Sequence, residues 1–141
     1  MSDYTFGVTL DAGFTDTVQR TRAALAEQGF GVLTEIDVAA TMKAKLGLDM
    51  SAHLILGACN PPLAHRALEL EPAIGALLPC NVVVRTLDDS HTRVEAMNPG
   101  VMVEATGNQD LADVAEQAGT RLAAALDALA APDDAAQGDA T

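Results

Sequence analysis

Two similar tetrapeptides contain the side chains of this sequence that are best suited to chemistry. They are Ala58-Cys59-Asn60-Pro61 and Leu78-Pro79-Cys80-Asn81, and they hold both cysteines of the chain. Each places a thiol and an amide beside a proline at the edge of a strand-like run. If the two strands are antiparallel neighbours, the two loops meet at one end of a sheet. The residues Cys59, Asn60, Cys80 and Asn81 are therefore candidate ligand-binding residues.

The two thiols have four interpretations. Free cysteine is often a small buried core residue. A redox pair is the second interpretation, because Cys59 precedes a predicted helix whose N-terminal dipole would lower its pKa. A metal site is the third, with His65 joining Cys59 and Cys80 as a ligand, although this spacing matches no standard zinc motif. Nucleophilic catalysis by cysteine and histidine is the fourth, and it also requires a third, orienting group.

The amides and carboxylates also have structural and functional interpretations. Asn60 and Asn81 either hold turns beside proline or line a pocket that recognises a small polar ligand. Glu35 and Asp37 lie two residues apart on a predicted strand, so both would point to the same face. Such a pair could bind a cation or act as acid and base, whereas acidic residues of an acidic chain usually form a solvated surface. Glu35 is included among the candidate ligand-binding residues.

Composition limits the partners of such a site. The 141 residues carry a formal net charge of -12, and 3% of them are aromatic. Nucleic-acid binding requires Lys and Arg to displace counterions, so we expect neither nucleic acid nor an anionic membrane surface as a partner. No run approaches the roughly 18 apolar residues of a membrane-spanning helix, and the N-terminus lacks the pattern of a signal peptide. These features predict a cytoplasmic protein with reduced thiols.

The elements that must position these residues are strands and helices in mixed order. Strands are predicted over 4–10, 31–37, 54–56, 81–85 and 92–97, with a short edge strand over 101–104, and helices are predicted over 14–28, 38–46, 61–71 and 110–130. The strands 81–85 and 92–97 should form a hairpin, and the last helix should cover the sheet. The pattern predicts one α+β domain over residues 1–131. Residues 132–141, rich in Ala and Asp, are predicted to be a disordered tail.

Four separated motifs occur in a distinctive order along the chain. They are Gly31-Val32-Leu33-Thr34-Glu35-Ile36-Asp37, Ile55-Leu56-Gly57-Ala58-Cys59-Asn60-Pro61, Leu78-Pro79-Cys80-Asn81-Val82-Val83-Val84 and Met97-Asn98-Pro99. Over residues 4 to 130 this combination resembles the DUF302 family of uncharacterised bacterial and archaeal proteins. The resemblance implies a two-layer α+β domain of the TATA-binding-protein-like fold group, with a curved, mainly antiparallel sheet packed against a long C-terminal helix and shorter helices. It also implies a homodimer, and it brings no activity, cofactor or catalytic residue.

Three functions are compatible with these observations. The leading hypothesis is a domain that binds a small molecule or a metal ion at the paired Cys-Asn loops, because no catalytic motif is assembled. The second is a thiol redox enzyme that uses Cys59 and Cys80. The third is a non-enzymatic, homodimeric interaction module. The sequence thus favours a binding protein over an enzyme, and it identifies no ligand or cofactor.

Overall fold

The computed structural model describes residues 4–130, which form five strands and five α-helices. The strands are β1 (Thr5–Leu10), β2 (Gly31–Asp37), β3 (His53–Cys59), β4 (Cys80–Asp88) and β5 (His91–Met97). The helices are α1 (Phe14–Glu27), α2 (Val38–Leu46), α3 (Pro61–Leu70), α4 (Gly100–Thr106) and α5 (Ala112–Ala130), with short 3-10 helices at Pro72–Leu77 and Gln109–Leu111. The predicted tail, residues 132–141, lies outside the described residues.

The five strands form one open antiparallel sheet in the order β1-β5-β4-β3-β2. Every second residue of the central strands is buried on the same face, as the period of two in a half-buried strand requires. These residues are Leu54, Leu56, Ala58, Cys80, Val82, Val84, Val94 and Ala96. The α+β fold and the β4–β5 hairpin are confirmed.

Helix α5 covers this apolar face of the sheet together with α1. Its buried residues recur every three or four positions, the spacing that keeps side chains on one side of a helix. They are Val114, Ala115, Ala118, Leu122, Ala125, Leu126 and Leu129. The prediction that the last helix covers the sheet is therefore confirmed. No helix within residues 4–130 is both long enough and apolar enough to cross a membrane.

The edge strand predicted over 101–104 is wrong, because these residues belong to helix α4. The Asn98 side chain accepts a hydrogen bond from the Gly100 backbone N–H at 2.9 Å and so holds the turn that leads into the helix. Gly107 ends the helix in the left-handed conformation, with φ at 71°. Met102 becomes buried in the helical packing, and this tertiary contact outweighs the strand preference of the neighbouring valines. The edges of the sheet are β1 and β2 instead.

Candidate functional site

Strands β3 and β4 bring the two cysteine-containing segments to the same end of the sheet. The strands pair in antiparallel register with Ala58 opposite Cys80, so Cys59 lies one position beyond this pair. Both cysteines are free thiols. Cys80 belongs to the buried core, whereas Cys59 is half-buried. The condition under which the two loops meet, antiparallel pairing of their strands, is therefore fulfilled.

A cavity of about 340 Å³ opens beside the two thiols. It is lined by Phe30, Leu33, Ala58, Cys59, Asn60, Leu63, Ala64, Ala67, Leu68, Gly75, Leu78, Pro79, Cys80, Met102, Val114 and Ala118. These residues come from the sheet, from α3, α4 and α5, from the 3-10 helix that follows α3, and from the connecting residues Phe30, Asn60, Leu78 and Pro79. Many of them are small, and small side chains leave space where several elements converge. No charged side chain of the described part of the chain lines this cavity.

Burial decides the ionisation of Cys80. The pKa of the Cys80 thiol is raised from 9.0 to about 11, chiefly by removal from water and to a smaller extent by the neighbouring Cys59. A buried thiolate would lose its hydration without gaining a positive partner. Cys80 therefore contributes a neutral thiol to the cavity at neutral pH. This disfavours Cys80 as the attacking thiol of a redox reaction, because the thiolate is the nucleophile.

Asn60 caps helix α3 and borders the same cavity. Its side-chain Oδ1 accepts a hydrogen bond from the Leu63 backbone N–H at 3.3 Å. Pro61 and Pro62 fill the first two helical positions and have no N–H, so Leu63 is the first residue of the helix that needs a cap. Asn60 is thus a buried side chain that caps a helix and also borders the cavity.

Asn81 does not face the cavity. It follows Cys80 along β4, and consecutive residues of a strand point to opposite faces of the sheet. Cys80 is buried among the core residues, and Asn81 is exposed in a separate depression with His53 and Arg85. Asn60 lies beyond the end of β3, so the strand's alternation of side chains between two faces does not apply to it. Of the two asparagines, only Asn60 therefore lines the cavity together with the thiols.

The remaining candidates have partners elsewhere. Glu35 forms an ion pair with Arg22 at 3.1 Å, and Asp37 caps helix α2 by accepting from the Ala40 N–H at 2.9 Å. His65 is exposed on α3 and lies 3.8 Å from Glu69. Within residues 4–130, no three His, Cys, Asp or Glu side chains are grouped closely enough to hold a metal ion. The structure therefore does not bring His65 to the two thiols.

Most of the cavity wall consists of residues that the sequence did not single out. Met102 and Val114 are buried apolar residues of α4 and α5, and Phe30 precedes β2. None of them has a side chain whose type indicates chemistry. The repeated alanines of α3 and α5 were the available signal, since Ala67 and Ala118 lie on buried helix faces where larger residues would fill the space.

Comparisons with known proteins agree on one family. A family model described as a domain of unknown function, DUF302, matches residues 6–129. A similar crystal structure is that of an uncharacterized conserved protein DUF302 from Bacillus stearothermophilus, with a TM-score of 0.83 and 31% sequence identity. That similarity covers 91% of this chain and 99% of the other. No curated protein matches the chain.

Proposed function

Because the chain belongs to the DUF302 family, a family of unknown function, we propose a function from the cavity itself: the protein binds a small, mainly apolar molecule beside Cys59 and Cys80. The observation that carries this proposal is a cavity of about 340 Å³ with an almost wholly apolar wall. Packed interiors contain few voids larger than a water molecule, and ligand pockets begin at about 300 Å³. The cavity is therefore of the size that suits a small ligand.

The chemistry of the wall supports a small organic molecule over a metal ion as the ligand. A bare metal ion needs several charged or strongly polar ligands, and the polar groups at this wall are two thiols and one amide. An apolar molecule instead gains roughly 25 cal/mol for each Å² of apolar surface that it removes from water. The neutral Cys80 thiol is compatible with such contacts, because it behaves as a small hydrophobic group.

Replacement of Ala64 by Phe should block this cavity. Ala64 is partly exposed and lines the cavity from α3, so a benzyl group at this position occupies the ligand's space without entering the packed core. We expect Ala64→Phe to weaken the binding of N-phenyl-1-naphthylamine, a neutral apolar dye, at least about tenfold, or ~1.4 kcal/mol. The measurement is a fluorescence titration of the wild-type protein and the variant.

The matched control for this titration is His65→Phe. His65 is the next residue of the same helix, its side chain is 73% exposed, and it does not line the cavity. The control adds the same aromatic group to the surface, so it should leave dye affinity unchanged. If the wild-type protein does not bind the dye, or if both variants bind it equally well, the proposed function is wrong.

We also propose that two copies of the chain associate through β2 and α2. Strand β2 is an edge of the sheet, and an unpaired strand edge is a template for another chain. Helix α2 has no buried residue, and large apolar side chains beside it are open to water. Ile36 is 50% exposed, Leu46 63% and Leu48 57%. These three side chains belong to β2, to α2 and to the segment that follows α2, and exposed apolar patches mark protein interfaces.

The double variant Leu46→Lys and Leu48→Lys should convert a dimer into a monomer, because it places like charges at the proposed interface. Light scattering coupled to size-exclusion chromatography measures the mass of each species. The control is Leu87→Lys on β4, where another exposed leucine is 46% accessible but lies outside β2 and α2. A monomeric wild-type protein, or a dimer that survives the double substitution, would contradict this interface.

A further inference from the structure

Two nitrogen donors lie near each other next to Gly29. The glycine has a positive φ of 85°, and both donors closely approach the position that a Cβ would take there. Asn60 Nδ2 lies 3.0 Å, and Arg121 Nη1 lies 3.5 Å, from the point that a Cβ at position 29 would occupy. Because Asn60 also lines the cavity, this pair of donors lies at the cavity's edge.

The Asn60 amide group has an unused donor. Its Oδ1 accepts a hydrogen bond from the Leu63 N–H, so the helix cap sets the orientation of the amide. The residue is only 8% exposed, and no acceptor within residues 4–130 is paired with Nδ2. Nδ2 itself reaches solvent, because among residues 4–130 the buried side-chain atom without a hydrogen-bond partner is Thr17 Oγ1, so an acceptor on a ligand would replace water at Nδ2.

Arg121 differs from the other arginines of the chain. The sequence has six arginines and 20 acidic residues, and the other five arginines form ion pairs with carboxylates of the described residues. Arg121 forms no ion pair with any carboxylate of residues 4–130. Its Nη1 donates to the Gln28 carbonyl oxygen at 3.3 Å, which holds the guanidinium in place and leaves most of its N–H donors free. Arg121 also lies three residues after Ala118, a residue of the cavity wall, on the same side of α5.

We propose that the ligand of the cavity is an amphipathic monocarboxylate, whose apolar body occupies the cavity and whose carboxylate binds Asn60 Nδ2 and the Arg121 guanidinium. This inference rests on the proposed function. A carboxylate accepts hydrogen bonds of about 2.7–3.2 Å at both oxygens, so it can bridge two donors that flank one space. The ten-residue helix α3 adds the positive end of its dipole at Asn60.

The acidic surface does not prevent such binding. The formal net charge of -12 repels anions at long range, but at a salt concentration of about 0.15 M charges are screened beyond roughly 8 Å. The two donors would contact the carboxylate directly, where screening is weak. The cavity wall itself has no carboxylate within the described residues, so an anion entering it meets no like charge.

Octanoate and 1-octanol separate the two parts of this proposal, because they share an alkyl chain and differ in the head group. We expect calorimetric titration to give an affinity about tenfold higher for octanoate than for 1-octanol, the ratio that corresponds to ~1.4 kcal/mol. Arg121→Gln should remove this preference by lowering octanoate affinity about tenfold while leaving 1-octanol affinity unchanged. Lys45→Gln removes the same charge from α2, away from the cavity, and should change neither affinity.

Asn60→Asp provides a second test that preserves the fold. Aspartate caps a helix as well as asparagine does, so α3 keeps its start, but the free N–H donor becomes a charged oxygen. Octanoate binding should be lost in this variant, whereas 1-octanol binding should persist. If the wild-type protein binds 1-octanol as tightly as octanoate, or if Arg121→Gln weakens both equally, the head-group site is wrong and the proposed function stands. If neither compound binds, the proposed function fails, and this inference fails with it.

Discussion

Cys80 should react with a disulfide reagent at least about tenfold more slowly in the folded protein than in the unfolded chain at about pH 8. The physical reason is its pKa, which burial raises from 9.0 to about 11, with Cys59 as a smaller cause. Only the thiolate attacks a disulfide, and this rise lowers the thiolate fraction about 100-fold, of which the stronger nucleophilicity of a high-pKa thiolate returns about tenfold. The measurement uses Cys59→Ala, in which Cys80 is the only thiol and burial, the larger cause, is retained. Its reaction with 5,5′-dithiobis(2-nitrobenzoic acid) is followed in buffer and in guanidinium chloride.

The pH dependence of stability provides an independent check on Cys80. At low pH the thiol is protonated in both the folded and the unfolded state. As the pH rises above 9.0, the unfolded chain loses its proton first, so the free energy of unfolding should fall between pH 9.0 and about 11. The fall amounts to about 2–3 kcal/mol at most, and it should disappear when Cys80 is also replaced by Ala. Equal reaction rates in the folded and unfolded protein would show that Cys80 is not protected.

A slow Cys80 thiol would exclude Cys80 as the attacking thiol of a redox pair and would leave Cys59 as the only thiol of the two for that role. Thiol redox enzymes use a low-pKa thiolate beside a positive group, and no charged side chain of the described residues lines the wall around Cys80. A protein that binds an apolar ligand is instead suited to a neutral, buried thiol, because such a thiol adds polarisable apolar surface that can contact the ligand. The buried position of Cys80 is therefore more compatible with recognition than with exchange chemistry.

Much of the fold could be predicted from local patterns. The continuous apolar run Leu54–Leu56 indicated a central strand buried on both faces; strand β3 contains the run and lies between β4 and β2, but Ile55 is only half-buried, so the second face is partly open. The periodicity of 110–130 indicated a helix that covers the sheet, as α5 does. These predictions succeeded because local spacing and tertiary burial favour the same structure. At α4 the local preference and the tertiary burial conflict, since the valines prefer a strand while Met102 is buried in helical packing.

The candidate site was only partly predictable, and the reason differs between residues. The separation of Cys80 from Asn81 follows from the alternation of any strand, so the sequence alone could have placed them on opposite faces. The cavity could not be anticipated in the same way. It exists because Ala58, Ala67 and Ala118, on three different elements, leave a gap that no spacing along the chain encodes.

Gly57→Ala should lower the free energy of unfolding by about 1–3 kcal/mol, because the backbone of β3 is tightly surrounded at this position. A Cβ on residue 57 would overlap Thr34 Oγ1 and lie 2.8 Å from Pro79 Cγ. The Thr34 side chain can rotate away, whereas the proline ring is held by its own backbone. Urea denaturation of the wild type and the variant measures the difference.

Two further variants identify the source of this cost. Gly31→Ala is the matched control, because Gly31 lies in the neighbouring strand β2 and a Cβ there would meet no atom within 4 Å. Its effect on stability should stay within about 0.5 kcal/mol. Adding Thr34→Ala to Gly57→Ala should restore only part of the lost stability, since the contact with Pro79 persists. Pro79 lines the cavity, so its displacement by the new methyl group should also weaken dye binding, an effect that Gly31→Ala should not show. If Gly57→Ala is as stable as Gly31→Ala, the close approach of Pro79 to β3 is wrong, and with it this part of the cavity wall.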